Sequence, residues 1–264
     1  MSPETKSALL ELCRSRLKEN GVTFWTTGDE ERILAILDQI RKPYTTAPLS
    51  PAASFFKRGE YFWIVFELDG EPVGVSALRY DDLAGETLGA FMARHATFLY
   101  GKNSFPAAEV RPHPFLNTIR GKVVYSSDTD MAEPIRGRKN LHLRSLIYTA
   151  YSLSMIKWPD MDYYYGIVRN NDMLTGKSAI YTVTTQLHSP LMWKIPPVER
   201  SSTEWFLGIS AEDISVYADI YLNEPELFDD IVLSKRGDRK GGVDNDPLPP
   251  EEARKADAVV DKTA

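Results

Sequence analysis

The chain has 264 residues with one cysteine, and 31 Lys and Arg stand against 37 Asp and Glu for a formal charge of −6. The length suits one large domain with a sizeable core, and the acidic balance excludes a general basic surface for nucleic acid or anionic lipid. The lone Cys13 excludes an internal disulfide framework and reads as a packing residue in a reducing compartment.

Ser2-Pro3-Glu4 predicts a helix start, with Leu9, Leu10, Cys13 and Leu17 as its apolar stripe and Asn20-Gly21 as a left-handed stop. VTFWTT has strand composition, and Thr27 with Glu30 at capping-box spacing predicts a second helix buried through Ile33, Leu37 and Ile40, ended by Pro43. Residues 61–80 predict an antiparallel hairpin, because two β-rich runs flank Asp69-Gly70. An insertion follows over about 82–121, with a helix near 87–99; Pro112 and Pro114 argue against regular structure in RPHPF.

Lys122 to Trp158 reads as strand, anion-binding turn and helix. Leu143, Leu146, Ile147, Ala150, Leu153 and Ile156 recur at spacings of three and four, which predicts an apolar helical stripe lying on a sheet. Arg136, Gly137, Arg138, Lys139 and Asn140 cluster where that helix begins, beside its positive dipole end. Such a cluster suits a phosphate or pyrophosphate, with a solvated basic turn as the plain alternative.

Residues 162–168 predict a strand, about 172–183 a helix, 190–196 and 203–209 two further strands, and Ser210 caps a helix carrying Ile214, Tyr217, Ala218 and Tyr221. Three segments are expected: an N-terminal helix (1–21), a main domain (22–233) and a disordered tail (234–264). The fold class is α/β (α+β), a mixed, mostly antiparallel central sheet flanked by helices. No apolar run approaches the roughly 18 residues of a membrane span, and MSPETKSALLELC carries acids where an export signal carries cations. The expected location is cytoplasmic, with no nucleic-acid partner and no membrane span.

Several chemistries lack their parts. Gly74-Val75-Ser76-Ala77-Leu78 and Gly208-Ile209-Ser210-Ala211-Glu212 miss the final glycine of a nucleophile elbow, and no P-loop or dinucleotide fingerprint is present. His95, His113, His142 and His188 are too scattered for metal-ligand spacing, so no metal is expected; His142, beside the basic turn, is the one worth testing.

The order of ELDGEPVGVSALRY, a strand, PIRGRKN with its helix, a strand, Asn170-Asn171 and SAIYTV resembles the GNAT acyltransferase superfamily over about residues 22–210. The resemblance implies a GNAT-like fold and transfer of an acyl group from acyl-CoA or acetyl-CoA, or from an acyl carrier protein, to a small-molecule or peptide amine acceptor. It places the donor's pyrophosphate on Arg136, Gly137, Arg138, Lys139 and Asn140, with Asn171 in the same role. Lys139 and Leu141 stand where the family's turn carries glycines, which hinders close approach of backbone to phosphate. Tyr181 matches the family's general acid to the leaving thiolate, against a plain reading as a buried, hydrogen-bonded core tyrosine. Asp128 is the first choice as base; strand alternation puts it on one face with Asp130, and Glu133 reads as a solvated turn acid. A non-catalytic GNAT-like ligand sensor or interaction module is the competing reading.

Overall fold

The computed structural model describes residues 1–42, 45–50, 59–100, 110–132, 135, 142–174, 178–197 and 199–229. Ser2 Oγ accepts the Thr5 amide and starts α1 (Pro3–Lys18), which ends before Gly21 at φ 73°. After β1 (Val22–Thr27) comes α2 (Glu30–Gln39). Its cap is Asp29, which accepts the Arg32 amide, and not Thr27 as the capping-box spacing suggests; Thr27 Oγ1 instead accepts the Asp29 amide. Pro43 lies outside the described residues, and the helix has already ended at Gln39.

The hairpin forms as expected from β2 (Tyr61–Leu68) and β3 (Glu71–Asp82), with Asp69 and Gly70 both at positive φ, 53° and 87°. In the insertion, α3 (Leu88–Tyr100) matches the predicted helix. RPHPF is more regular than its prolines suggest: Pro112 ends a short strand, β4 (Val110–Pro112), and Pro114 opens a 3-10 turn. Both are positions where a missing N–H does no harm. Then follow β5 (Lys122–Met131), α4 (Leu143–Lys157) and β6 (Tyr163–Val168). The predicted helix at 172–183 is two short turns, α5 (Asn170–Leu174) and α6 (Ser178–Tyr181), and the β-branched residues 182–184 lead into a strand, β7 (Thr185–His188). The last elements are β8 (Leu191–Trp193), β9 (Trp205–Ser210), α7 (Ala211–Asn223) and α8 (Glu226–Asp229). Ser210 caps α7 as expected, accepting the Asp213 amide. The tail at 234–264 lies outside the described residues.

A seven-stranded sheet runs in the order β1-β2-β3-β5-β6-β9-β7, and β4 pairs with β8 apart from it. Its pairs are antiparallel except β5 with β6, whose crossover is α4. The fold class expected from the sequence is therefore the one found. Helices α1, α4 and α7 cover one face, where Leu9, Cys13, Leu146, Tyr151, Ile214 and Ala218 share a core with Ile64 and Val124. The other face is covered by α2, α3 and the β4–β8 pair, around Trp63, Val75, Tyr125 and Tyr165.

The stripe predicted for α4 is only part of its buried surface. Ser145, Tyr148, Thr149, Ser152 and Ser154 are also buried, whereas Ile156 is 44% exposed. The helix sits between the sheet, α1 and α7, so residues that periodicity assigns to solvent meet protein instead. Their hydroxyls are partly satisfied within the helix: Thr149 and Ser154 donate to the Ser145 and Ala150 carbonyls.

Gly70 tests the hairpin directly. A Cβ there would meet nothing within 4 Å, so only backbone strain opposes it. Gly70→Ala should lower unfolding free energy by about 1 kcal/mol in urea titration, without changing the m-value.

Candidate functional site

The parallel strands β5 and β6 pair from Val123↔Tyr163 to Ser126↔Gly166, and there the pairing stops. Beyond that point β5 stays with β3 as far as Met131, while β6 continues with β9 through Ile167 and Val168. A gap therefore opens in the middle of the sheet, and β5 from Ser127 onward presents an edge on which no strand is paired among the described residues. Gly166 marks the last contact: a Cβ there would lie 2.9 Å from the Ser126 carbonyl oxygen, so a side chain would force the strands apart already at this pair.

A bulge in β5 accompanies the parting. Ala77 pairs with Ser127 but Val75 with Asp130, so β5 carries one extra residue, and Asp128 within it has φ 53°. Strict alternation thus does not run from Asp128 to Asp130, contrary to the reading that placed both on one face by counting. The Asp128 side chain is almost wholly buried, and Lys42 Nζ donates to Oδ1 at 2.8 Å. Thr46 donates its amide to both carboxylate oxygens (3.2 and 3.0 Å) and its hydroxyl to Oδ2 at 2.9 Å. Three donors hold the carboxylate, the Thr46 amide being shared between its two oxygens. Asp128 is placed to clasp the segment after α2 onto the bulge, and its buried ion pair with Lys42 opposes the base role expected of it.

Tyr181 ends α6 on the α4 face. Tyr151 of α4 donates its hydroxyl to the Tyr181 carbonyl at 2.7 Å, and the Tyr151 ring meets Tyr164 of β6 edge-on at 4.6 Å. Tyr181 is thereby tied to the strand that borders the gap. Burial, and then the nearby Asp172, push its phenol up to about 12, so it keeps its proton throughout the physiological range. Asn171 is exposed at the start of α5. Arg136, Gly137, Arg138, Lys139 and Asn140, together with Leu141 and Glu133, lie outside the described residues. His142, just before α4, has Nε2 3.4 Å from Glu19 Oε2 and so ties α4 to the end of α1.

On the opposite face, at the mouth of the gap, lies a cleft of about 390 Å³, part of it open to solvent. Tyr125 and Tyr165 form its floor as a strand pair with ring centroids 5.1 Å apart, and Ile167, past the last β5–β6 pair, lines it too. Phe91 and His95 come from α3, and Trp193 comes from β8.

Sequence reasoning passed over the two arginines of this cleft. Arg79 is 4% exposed; its Nε donates to Asp81 at 2.9 Å and a terminal nitrogen donates to the Pro48 carbonyl. Burial pushes the Asp81 carboxyl up, with Arg79 opposing. Arg200 pairs with Glu204 at 3.1 Å; burial works against its charge, but Glu204, Tyr100 and Tyr125 outweigh burial and raise its pKa. Arg79 was legible only as a charge inside a β-rich run, and Arg200 carried no pattern at all.

No family model and no curated protein matches the chain. Among solved structures it is similar to a GNAT-family acetyltransferase from Streptococcus pneumoniae, at 8% identity over 72% of this chain and 98% of that one, with a TM-score of 0.39. It is also similar to Arabidopsis thaliana Naa50 bound to a bisubstrate analogue, at 14% identity over 71% of this chain and 97% of that one, TM-score 0.39. A chimera of the spermidine N-acetyltransferase SpeG from Vibrio cholerae with hSSAT gives 11% identity over 74% and 98%, TM-score 0.42. These likenesses assign no substrate and no residue. The strand order itself is that of a mixed, mostly antiparallel sheet with one parallel pair at its centre.

Lys42→Met should leave a buried carboxylate without its counter-charge and lower stability by about 3 kcal/mol in chemical denaturation. His95 offers a pH test: burial, then Arg79 and Arg94, depress its imidazole from 6.5 to about 3. Between those values the unfolded chain takes up a proton that the native state refuses, so stability falls as pH drops through this window. His95→Gln should show a smaller loss of Tm than the parent chain between pH 7 and pH 4.

Proposed function

We propose that the chain is an N-acyltransferase of the GNAT type, taking an acyl group from acyl-CoA and passing it to an amine. The observation that carries this reading is the parting of β5 and β6 after Ser126 and Gly166, with Tyr181 held on the α4 side and a cleft at the mouth on the other. An extended pantetheine arm has amides of its own, and the unpaired edge of β5 offers partners for them, as when a peptide adds to a sheet edge. The donor's anionic end is assigned to residues 136–140 and Asn171, beside the start of α4, where a positive dipole end and cations coincide. The acceptor enters from the α3 side. Two reactants brought to opposite mouths of one gap are aligned for attack without further search.

In the reaction the amine nitrogen bonds to the thioester carbonyl carbon, the C–S bond breaks, and the thiolate leaves with the electron pair. Tyr181, at about 12, is a weaker acid than an ordinary thiol, which titrates near roughly 8.5. It therefore serves as a hydrogen-bond donor that stabilises the departing thiolate, while water supplies the final proton. The amine proton also leaves to water. Asp128 is occupied by Lys42 and Thr46, and His95 stays neutral far below physiological pH, so neither takes it. The acceptor consequently reacts as the neutral amine.

Two results test this reading, both by following thiol release from acetyl-CoA with an amine acceptor. Tyr181→Phe should lower kcat about tenfold or more with little change in donor affinity. kcat/KM for the acceptor should rise with pH until the acceptor's own amine pKa is passed. Unchanged turnover in Tyr181→Phe, with a flat pH profile, sinks the assignment.

A further inference from the structure

The cleft behind the gap carries information about its occupant, because its polar atoms do not balance. Asp and Glu are missing from its described lining, whereas Arg79 and Arg200 are both present. Arg79 is already spent on Asp81 and the Pro48 carbonyl. Arg200 is not: its Nε has no hydrogen-bond acceptor, although its side chain is only 7% exposed. Trp193, also 7% exposed, has an indole N–H in the same condition. Both groups can only donate, and a buried donor without an acceptor costs about 1–3 kcal/mol. The space between them is walled by rings, those of Phe91, Tyr100, Tyr125, Tyr165 and Trp193. The cleft is shallow and partly open to solvent, so an occupant would lie against these rings with part of its surface in water.

We propose that this cleft binds a small aromatic carboxylic acid, its ring among the aromatic side chains and its carboxylate accepting from Arg200 and Trp193. A polyamine or other cation is the wrong ligand: it adds positive charge beside two arginines, and the nearby Glu204 carboxylate is already paired with Arg200. A neutral His95 adds no third cation, so the field at the carboxylate is that of the arginines with Asp81 and Glu204 behind them. Resting on the acyltransferase reading, the inference becomes a substrate class: the acceptor is an aromatic amino acid, whose amine lies toward the gap and whose carboxylate lies away from it.

Binding is measured first, on the full chain without any acyl donor, by thermal shift and calorimetric titration with phenylacetate, L-phenylalanine, phenethylamine and spermidine. Phenylacetate and phenylalanine should raise Tm in proportion to the logarithm of concentration, and the two amines should not. Equal shifts from phenethylamine, or no shift from either acid at 10-fold molar excess over a millimolar constant, overturn the proposal. The double variant Arg200→Gln, Glu204→Gln removes the cation and its counter-ion together, which avoids stranding a buried charge. It should bind phenylacetate at least tenfold more weakly, and parental affinity in a folded double variant overturns the proposal. Ala96→Leu, which fills the cleft from α3 without touching a charge, gives an independent reading: loss of phenylacetate binding supports the site, and unchanged binding overturns it. Thiol release from acetyl-CoA then separates the two readings. Binding of phenylalanine without thiol release would stand against acyl transfer and leave the acid site intact; release with spermidine but not phenylalanine would do the reverse.

Discussion

The site depends on an extra residue in the fourth strand of the large sheet. Asp128 takes a left-handed backbone conformation that costs an L-residue about 1–2 kcal/mol, and it does so next to the place where two parallel strands must separate. The offset comes from the ion pair with Lys42 and the three hydrogen bonds from Thr46, which come from the chain after α2. The clasp therefore joins the end of a helix on the cleft face to the bulge that terminates the β5–β6 ladder. Loosening either partner would let β5 relax toward ordinary alternation and close the edge that the proposed donor needs. Through these contacts the Asp128 side chain helps to shape the strand.

Much of this architecture was written in local pattern. The hairpin was legible because Asp69-Gly70 is a two-residue signal between alternating runs, and Ser2 and Ser210 announce helices because their hydroxyls take the first unpaired amides. The failures share a cause, which is that long-range partners overrode local preference. Thr27 and Asp29 both offer cap oxygens, and the tertiary path of the chain chose Asp29. The β-branched run at 182–185 read as a poor helix end but leads into β7, because β9 lies beside Thr185 to His188. The burial of Ser145, Ser152 and Ser154 follows from α1 and α7 covering α4, which no periodicity within α4 encodes.

The candidate site was legible in a different proportion. Tyr181 was singled out by its place in SAIYTV, and it ends α6, where Tyr151 of α4 donates to its carbonyl. Asp128 was legible as an acid on a strand, but a sequence does not show the lysine 86 positions away that pairs with it. Arg79 and Arg200 were invisible, as buried charges are: each looks like a surface residue until its carboxylate partner and its ring neighbours are in place. The donor chemistry of the cleft belongs wholly to the assembled fold.

The docking of α1 has a consequence for how the molecule is made. Leu9, Cys13 and Leu17 are fully buried against a core that includes α4 and α7, and Lys6 Nζ donates to the Met155 carbonyl at 2.9 Å. A ribosome finishes α1 long before it reaches Asn223, and at roughly 5–20 residues per second the wait is on the order of 10–40 s. During that interval α1 is an amphipathic segment whose apolar side waits first for α4 and then for α7. Contacts that bind the first residues to the last favour slow closure of the whole domain over stepwise growth from its beginning. The nascent chain is thus a natural client for chaperones that shield apolar helices, and α1 is the segment they would hold until its partners are made.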